Sequence, residues 1–364
     1  MHLAHLRLRD FRNYGRLDVD FEPGFHLLLG DNAQGKTNIL EAIYLLSTLR
    51  SFRGAGGQQM VQHGKKGYFI GGNVISDVKH QVKMYWAARE RKLSMDSAPV
   101  RRLADYFGTL RVVVLCTEDL QLVKGTARVR RRFIDLLLSQ IHPNYLTLLQ
   151  RYMRTVRSRN ALLKQRMVDQ DALDSFSKEM IRSGEELMKL RRELIPKISP
   201  LTRLAFRRIT NDSEELRIDY APSVKEDFTV ELANSREKER SYKVTLVGPH
   251  RDDVKLKLNG HSVGKYGSEG QKRSVVVSLK MAQAEFLAGV HGTPPVLLID
   301  DVMGELDVHR RSGIMPLLER THHSSGQVFM TCTEENWPRE LGRRLIRWNV
   351  SNGGLTRVDV TKTD

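Results

Sequence analysis

Residues 30–38 read Gly30-Asp31-Asn32-Ala33-Gln34-Gly35-Lys36-Thr37-Asn38, which is the GxxxxGK(S/T) spacing of a phosphate-binding loop. An apolar run at 26–29 precedes the loop and a helical pattern at 38–46 follows it, so the loop joins a strand to a helix. Its glycines let backbone N–H groups turn toward a phosphate, and the helix N-terminus adds partial positive charge. The stretch predicts an α/β domain that binds a nucleoside triphosphate. The alternative is a glycine-rich turn with a surface lysine.

The residue types of this loop assign its roles. Lys36 would reach the β- and γ-oxygens, where it would also serve catalysis, and Thr37 would coordinate Mg²⁺. The residues expected to bind the nucleotide are Gly30, Asn32, Gly35, Lys36, Thr37 and Asn38.

A second motif, Val296-Leu297-Leu298-Ile299-Asp300-Asp301, lies far downstream. Its apolar residues predict a buried strand whose carboxyl end presents acids to a ligand crevice. Asp300 would hold the Mg²⁺ shell, and Asp301 would orient or deprotonate the attacking water. The alternative is a strand that ends in an ordinary aspartate-rich turn.

A third motif lies at residues 266–273, Tyr-Gly-Ser-Glu-Gly-Gln-Lys-Arg, ahead of an apolar helical stretch at 275–286. Ser268 and Gly270 would open a helix whose free N–H groups form a second anion site, with Gln271 beside them. No phosphate-binding loop lies in the same stretch, so a second copy of the chain would supply the phosphate. The alternative is a simple helix cap.

The chain carries 59 basic and 43 acidic residues, a net charge of +16, which is typical of proteins that meet polyanions. From Lys124 to Arg166 eleven basic residues stand against one acid, Asp135. Arg151, Arg154 and Arg157 recur at helical spacing, and Arg159 and Lys164 extend the set. Because a solvated helix face normally mixes signs, the segment favours binding of a DNA phosphate backbone over a solvated face.

The distribution of patterns suggests three sequence blocks. Residues 1–120 and 236–364 carry the strands and nucleotide motifs, and residues 121–235 read as a helical insertion with a break at Pro196 to Pro200 and an exposed linker at Ser235 to Arg240. No apolar run approaches the roughly 20 residues that span a bilayer, so we expect no membrane association and a cytoplasmic location. Cys116 and Cys332 lie in apolar runs and are expected to be buried thiols.

The third motif resembles the signature motif of ABC-type ATPases, in which the serine and glycine of one subunit contact the γ-phosphate bound by the other. Gly304-Glu305-Leu306-Asp307 resembles their D-loop, which makes Asp307 a candidate nucleotide contact. Across nearly its whole length the chain is similar to the bacterial RecF family. The stretches that carry this similarity lie at residues 11–14, 38–42, 122–125 and 247–253, Val-Gly-Pro-His-Arg-Asp-Asp.

The RecF resemblance implies an α/β, ABC-type ATPase head with an inserted helical lid or arm. It also implies ATP and Mg²⁺ as cofactors, an ATP-dependent homodimer with weak ATPase activity, and binding to gapped duplex or single-strand/duplex junctions. Its partners would be RecO and RecR, and through them RecA. Asp301 stands where many ABC enzymes have glutamate, and Thr331 stands near the place of their switch histidine, which fits slow hydrolysis. Residues 117–121 are the candidate glutamine loop.

Other functions share part of this pattern. A transporter motor needs a membrane partner and leaves the basic segment unexplained. A small GTPase needs an Asn-Lys-x-Asp motif, which is absent, and no length remains for a nuclease domain. An ABC-type motor of another process and a non-catalytic DNA clamp stabilised by ATP stay open as alternatives.

Overall fold

The structure is a computed structural model that describes residues 1–210, 214–302, 308–323, 326–332 and 345–358. The strands are β1 (His2–Phe11), β2 (Tyr14–Asp20), β3 (Gly24–Leu29), β4 (Gly67–Ile75), β5 (Lys79–Ala87), β6 (Glu90–Met95), β7 (Ala98–Pro99), β8 (Val112–Cys116), β9 (Leu216–Ala221), β10 (Asp253–Leu258), β11 (His261–Ser262), β12 (Val296–Asp300), β13 (Gln327–Cys332), β14 (Leu345–Ser351) and β15 (Gly354–Val358). The helices are α1 (Lys36–Thr48), α2 (Leu103–Tyr106), α3 (Gln121–Lys124), α4 (Ala127–Ile141), α5 (Tyr145–Leu163), α6 (Gln170–Thr210), α7 (Phe228–Asn234), α8 (Arg236–Tyr242), α9 (Val263–Tyr266), α10 (Glu269–His291) and α11 (Val308–His323).

One sheet holds the nucleotide motifs, with the strand order β15-β14-β3-β13-β12-β8. Strands β14, β3, β13, β12 and β8 run parallel, and residues of β8, β12 and β13 are buried throughout, as expected for a parallel sheet covered on both faces. Leu29 pairs with Cys332, and Asp300 pairs with both Thr331 and Cys116. The carboxyl ends of these strands therefore meet at one edge, where the phosphate-binding loop begins. Both cysteines are free and buried, as predicted.

A second sheet is antiparallel and has the order β2-β1-β4-β5-β6-β7. In the middle of β1 its residues alternate, with Leu6 and Leu8 buried and Arg7 and Arg9 exposed. This alternation is that of a sheet with one face on the core and one face in water.

The helical segment differs from its predicted form at two places. Helix α6 runs through Pro196 and Pro200 without a break. Each proline removes one backbone donor, but Leu194, Ile195 and Ile198 are buried around them, and we attribute the continuity of the helix to this apolar stripe. The predicted linker at Ser235 to Arg240 is also wrong, because these residues belong to helix α8 and its cap.

The chain separates into two compact units, Met1–Asp119 with Leu204–Ser213 and Ser274–Asp364, and Leu120–Arg203 with Glu214–Arg273. The expected C-terminal block began at residue 236, whereas the second unit includes residues 214–273. The reason is a three-stranded sheet of order β11-β10-β9, which joins segments on both sides of residue 236. Among the described residues, no helix is long and apolar enough to cross a bilayer.

Candidate nucleotide site

The phosphate-binding loop needs both of its outer glycines. Gly30 has φ +147° and Gly35 has φ +113°, a region that favours glycine. A Cβ at Gly30 would lie 2.3 Å from the carbonyl oxygen of Val350, and a Cβ at Gly35 would lie 2.5 Å from Asn13 Nδ2. The loop therefore leaves no room for a side chain at either position.

The β1–β2 hairpin supports the loop from outside. Asn13 Nδ2 donates to the carbonyl of Gln34 at 2.8 Å, and the buried Tyr14 hydroxyl donates to the carbonyl of Gly35 at 3.1 Å. Asn38, expected to bind the nucleotide, donates to Asn13 Oδ1 at 2.8 Å and accepts from Arg53 Nη1 at 3.2 Å. Asn38 thus ties the start of α1 to the hairpin.

Lys36 and the N-terminus of α1 carry the positive charge of the site. Lys36 Nζ donates to the carbonyls of Gly30 at 2.5 Å and Asp31 at 2.8 Å, which holds it at the mouth of the loop. Gly35 caps α1 without a side-chain hydrogen bond. An anion that approaches the loop meets the Lys36 ammonium and the first-turn N–H groups of a helix.

The two downstream strands add a carboxylate and a hydroxyl opposite Thr37. The Thr37 hydroxyl donates to Asp300 Oδ1 at 2.8 Å, across 263 residues of sequence. Thr331 Oγ1 donates to the same oxygen at 2.9 Å and accepts from the backbone N–H of Asp301 at 3.0 Å. The structure thus brings Thr37, Asp300, Asp301 and Thr331 together, and Thr331 orients both acidic positions.

The two aspartates have different environments. Asp300 is only 8% exposed, and burial raises its pKa, against hydrogen bonds from Thr37 and Thr331 that lower it. Asp301 is exposed and has φ +53°, an unusual conformation for a residue with a side chain. Strained backbone of this kind clusters at functional sites. Asp300 is therefore placed for a cation and Asp301 for solvent.

A cavity of about 800 Å³, within the range of small-molecule sites, opens beside Asp301, Thr37 and Thr331, and Asp300 and Gly30 do not line it. It is lined by Asn32, Gly35, Lys36, Thr37, Asn38, Asp301 and Thr331 from the predicted set, and also by Arg12, Asn13, Arg53, Gln59, Gln62 and His63, which sequence reasoning did not place in the site. The clearest available signal was the Phe11-Arg12-Asn13-Tyr14 turn. Arg12 forms a bidentate pair with the buried Glu41 at 2.8 Å, so its guanidinium is fixed at the cavity wall.

The residues present fit Mg²⁺ and a nucleotide. Mg²⁺ usually takes one or two carboxylates together with phosphate oxygens and water, and Thr37 with Asp300 supply a hydroxyl and a carboxylate that already touch. Lys36, Arg12 and Arg53 provide cations around the same cavity. The donor set suits a triphosphate.

The signature segment forms a capping box. Ser268 Oγ accepts from the N–H of Gln271 at 3.2 Å, and Gln271 Oε1 accepts from the N–H of Ser268 at 2.6 Å. One expected free donor at this helix start is therefore already satisfied by the cap. Ser268 remains exposed. Ser268, Gly270 and Gln271 belong to the second unit, whereas the cavity residues all belong to the first.

Two further predicted elements are the D-loop at residues 304–307 and the glutamine loop at residues 117–121. Asp307, and with it the D-loop at 304–307, lies outside the described residues. In the candidate glutamine loop, Asp119 accepts from the N–H of Cys116 at 2.9 Å and pairs with Lys280 at 2.7 Å, so this acid is engaged within the core. The assignment of residues 117–121 stays a prediction.

The basic segment from Lys124 to Arg166 is not one continuous surface. Arg159 is buried and pairs with Glu239, and Arg130 pairs with Asp253, so both hold the second unit together. Arg151 pairs with Glu179. The expected stripe through Arg159 is therefore wrong, because its side chain is only 1% exposed and its guanidinium is hydrogen-bonded to a carboxylate and two hydroxyls, out of reach of a phosphate backbone. The exposed basic residues of the segment are Lys124, Arg128, Arg132, Arg151, Arg154, Arg157, Lys164 and Arg166.

The chain is similar in sequence to a known protein family and to individual proteins. Residues 2–101 match the RecF/RecN/SMC N terminal domain. The DNA replication and repair protein RecF of Symbiobacterium thermophilum is 38% identical over 95% of this chain and 96% of its own length. RecF of Lactococcus lactis subsp. cremoris is 35% identical over 98% of this chain and 99% of its own length.

Solved structures agree with this relation. A structure of RecF, the recombination mediator protein of the RecFOR pathway, with ATP has a TM-score of 0.89 to this chain at 30% identity, and 98% of each chain is covered. The Smc head domain of Pyrococcus furiosus, solved with the C-terminal domain of ScpA, has a TM-score of 0.58 at 13% identity and covers 98% of this chain and 96% of its own. The second likeness shows the fold of an Smc head domain, and the expected α/β fold class is confirmed.

Proposed function

We propose that this chain, which belongs to the RecF family of DNA replication and repair proteins, dimerises on ATP, binds gapped DNA and helps to load a recombinase there. The observation that carries the proposal is the contact of Thr37 and Thr331 with the same oxygen of Asp300, beside a complete phosphate-binding loop. A relative with 30% identity over 98% of the chain was solved with ATP, which supports ATP as the nucleotide.

The residues divide the work of binding and hydrolysis. Lys36 and the N–H groups of α1 would hold the phosphates, and Thr37 with Asp300 would hold Mg²⁺, which neutralises phosphate charge when bound. Asp301 is exposed to the cavity and is the proposed group that orients the attacking water. Thr331 fixes Asp300 and the backbone of Asp301 through one hydroxyl. An aspartate base and a hydroxyl in place of a stronger base fit slow turnover.

Dimerisation would complete the site. The exposed Ser268 lies at the start of α10, and helix N-termini attract anions. We infer that Ser268 and Gly270 of one copy meet the γ-phosphate bound by the other. Asp307 would lie at the same interface by its resemblance to the D-loop.

The DNA contact is proposed for the exposed basic residues of the helical unit. Arg154 and Arg157 lie on one face of α5, and Arg128 and Arg132 are exposed on α4. Phosphate contacts of this kind position a protein without reading sequence. RecO and RecR are the proposed partners, because the related RecF structure is described as that of a mediator protein in the RecFOR pathway. RecA would be an indirect partner, reached through RecO and RecR.

Sedimentation tests the proposal. The wild-type chain should sediment as a dimer with ATP and Mg²⁺ and as a monomer without them. Ser268→Arg should still bind ATP but remain monomeric, because a bulky cation at the exposed cap blocks the second copy. Ser175→Arg, at an exposed serine of α6, is the matched control and should dimerise. A Ser268→Arg chain that dimerises with ATP contradicts the signature assignment.

Phosphate release separates the enzyme from a non-catalytic clamp. A clamp would bind ATP and dimerise but release no phosphate above background, with or without gapped DNA. The proposed ATPase should release phosphate slowly.

A further inference from the structure

The outer face of the antiparallel sheet carries one row of side chains that the nucleotide site does not use. Cross-strand pairing places Arg16 opposite Arg9, Arg9 opposite Phe69, Phe69 opposite Tyr85, and Tyr85 opposite Lys92. Residues directly opposite on neighbouring strands share one face of a sheet. The row, here called the aromatic–basic row, therefore crosses five strands, β2-β1-β4-β5-β6.

The row belongs to the solvent side of the sheet. On the other face Leu8, Ile70 and Met84 are buried, whereas Arg9 and Arg16 are exposed and Tyr85 is 38% exposed. The alternation of buried and more exposed side chains at residues 8–9, 69–70 and 84–85 assigns the two faces. Tyr85 is among the large apolar side chains that the chain leaves in water.

Phe69 lies flat against the sheet because its neighbour is a glycine. A Cβ at Gly71 would lie 3.0 Å from Cζ of Phe69, so the ring covers the Gly71 backbone. Neighbouring strands are about 4.8 Å apart. Phe69 and Tyr85 are directly opposite on β4 and β5, one half-buried and one exposed, and form a platform rather than a core cluster.

The cations around this platform are mostly unengaged. In the described part of the chain, no hydrogen bond or ion pair involves the side chains of Arg9, Arg16 or Lys83. Lys83 lies opposite Gly71 in the next row. Acids are also present, but they are paired: Glu90 with Lys92 at 2.7 Å, and Asp18 with Arg7 at 2.7 Å. The net charge beside the rings is positive.

We propose that the aromatic–basic row binds single-stranded DNA, with bases stacked on Phe69 and Tyr85 and phosphates held by Arg9, Arg16 and Lys83. Proteins that bind single strands combine a positively charged surface with aromatic side chains on which successive bases stack. A sheet face suits this ligand because its rings meet the flat faces of unpaired bases. Duplex DNA hides those faces, so the row selects the unpaired strand.

This site goes beyond the proposed function and does not depend on its dimerisation step. The row consists of residues of the first unit alone, and none of them lines the nucleotide cavity. Binding of a single strand should therefore be measurable without nucleotide. A failure of ATP-dependent dimerisation would leave the measurement unchanged.

Fluorescence anisotropy with a fluorescein-labelled oligo(dT) and a matched duplex tests the proposal on the full chain. Tyr85→Ala should weaken oligo(dT) binding about 5- to 100-fold, as expected when one base stack is lost. Tyr85→Phe keeps the ring and should bind like the wild type. Tyr242→Ala, at a tyrosine of α8 that is 70% exposed, is the matched control and should leave oligo(dT) binding unchanged. Duplex affinity should be equal in all four proteins.

Salt dependence gives a second, independent reading. Each phosphate contact to a single strand contributes about 0.7 to the log–log salt slope, so Arg9→Ala with Arg16→Ala should flatten the oligo(dT) slope by about 1.4. Thermal unfolding checks that every variant is folded. Wild-type oligo(dT) affinity in Tyr85→Ala together with an unchanged slope in the double variant would overturn the proposal, and that result would point to a protein on this face. Equal losses for duplex and oligo(dT) would also overturn it.

Discussion

The guanidinium of Arg159 lies 2.6 Å from the carboxylate of Glu239, and both side chains are buried. Arg159 also donates to Ser177 Oγ at 3.1 Å and Thr245 Oγ1 at 3.0 Å. The arginine therefore joins α5 to α6 and α8 from within. Arg159→Met should destabilise the protein by about 3–5 kcal/mol, because Glu239 would keep an unpaired buried charge. Urea denaturation measures this loss.

A double variant tests the cause of that loss. Glu239 Oε1 accepts from the N–H of Leu246 at 2.8 Å, and Glu239→Gln can keep this bond while it removes the charge. Arg159→Met with Glu239→Gln should therefore be more stable than Arg159→Met alone. Equal instability of the two proteins would mean that lost packing, and not the buried charge, dominates.

Arg154 and Arg157 are the arginines of α5 whose exposure best supports a contact with the DNA backbone. Both are exposed, and Arg157 Nε donates only to the carbonyl of Met153 within its own helix. Replacement of both by alanine should lower duplex affinity for all sequences alike and flatten the log–log salt slope by up to about 1.8. The matched control is Arg101→Ala, at an exposed arginine outside the segment. An unchanged slope would identify a solvated helix face.

The two adjacent aspartates should separate binding from turnover. Asp301→Asn should keep ATP bound while it slows phosphate release about a hundredfold or more, within the range for a positioned acid–base group. Asp300→Asn is the comparison, and it should lose the Mg²⁺-dependent part of ATP affinity, because Thr37 and Thr331 both direct their hydroxyls at this carboxylate. Normal turnover by Asp301→Asn would require another group to position the water.

The nucleotide site was predictable because each of its motifs is local in sequence, although the motifs lie far apart along the chain. A phosphate-binding loop needs a fixed order of residues, so residues 30–38 carry their function in one stretch. The contribution of Arg12 and Arg53 was not predictable in this way. Arg12 reaches the cavity only because Glu41 and the carbonyl of Gln59 fix its guanidinium. Such a position depends on tertiary contacts, and the signal for it along the chain is limited to the turn at residues 11–14.

The basic segment shows a second limit of sequence-based prediction, because its exposed charge was overestimated. Helical spacing predicted that Arg157 and Arg159 would both contribute to a basic surface, but two residues along a helix turn the side chain by about 200°. Arg157 points to solvent and Arg159 into the core, where Glu239 arrives from a helix that the sequence suggested was a linker. A count of charged residues detects an excess of basic side chains. How many of them are exposed depends on acidic partners from elements distant in sequence, such as Glu239.

His26 makes stability depend on pH. Its Nδ1 accepts from Trp348 Nε1 at 3.0 Å, and its Nε2 donates to the carbonyl of Glu22 at 2.7 Å. Burial lowers the pKa of His26 from 6.5 to about 4, and burial also lowers the pKa of His250 to about 4. Below pH 6.5 these two histidines bind protons in the unfolded chain, whereas in the native protein they stay neutral until the pH approaches 4. Stability is therefore fully present above pH 6.5 and falls as the pH drops toward 4.

Urea denaturation at about pH 7.5 and about pH 5 should show this loss, with each buried histidine contributing about 2 kcal/mol. His26→Gln cannot titrate, so it should remove the His26 share, about 2 kcal/mol, from the pH dependence, whatever it does to stability at the higher pH. His142→Gln, at an exposed histidine that follows α4, should leave the pH dependence as it is in the wild type. If His26→Gln and His142→Gln changed the pH dependence equally, the core around Trp348 would admit a charged imidazole. The hydrogen bond from Trp348 opposes that, because an indole N–H can only donate and a protonated Nδ1 can no longer accept.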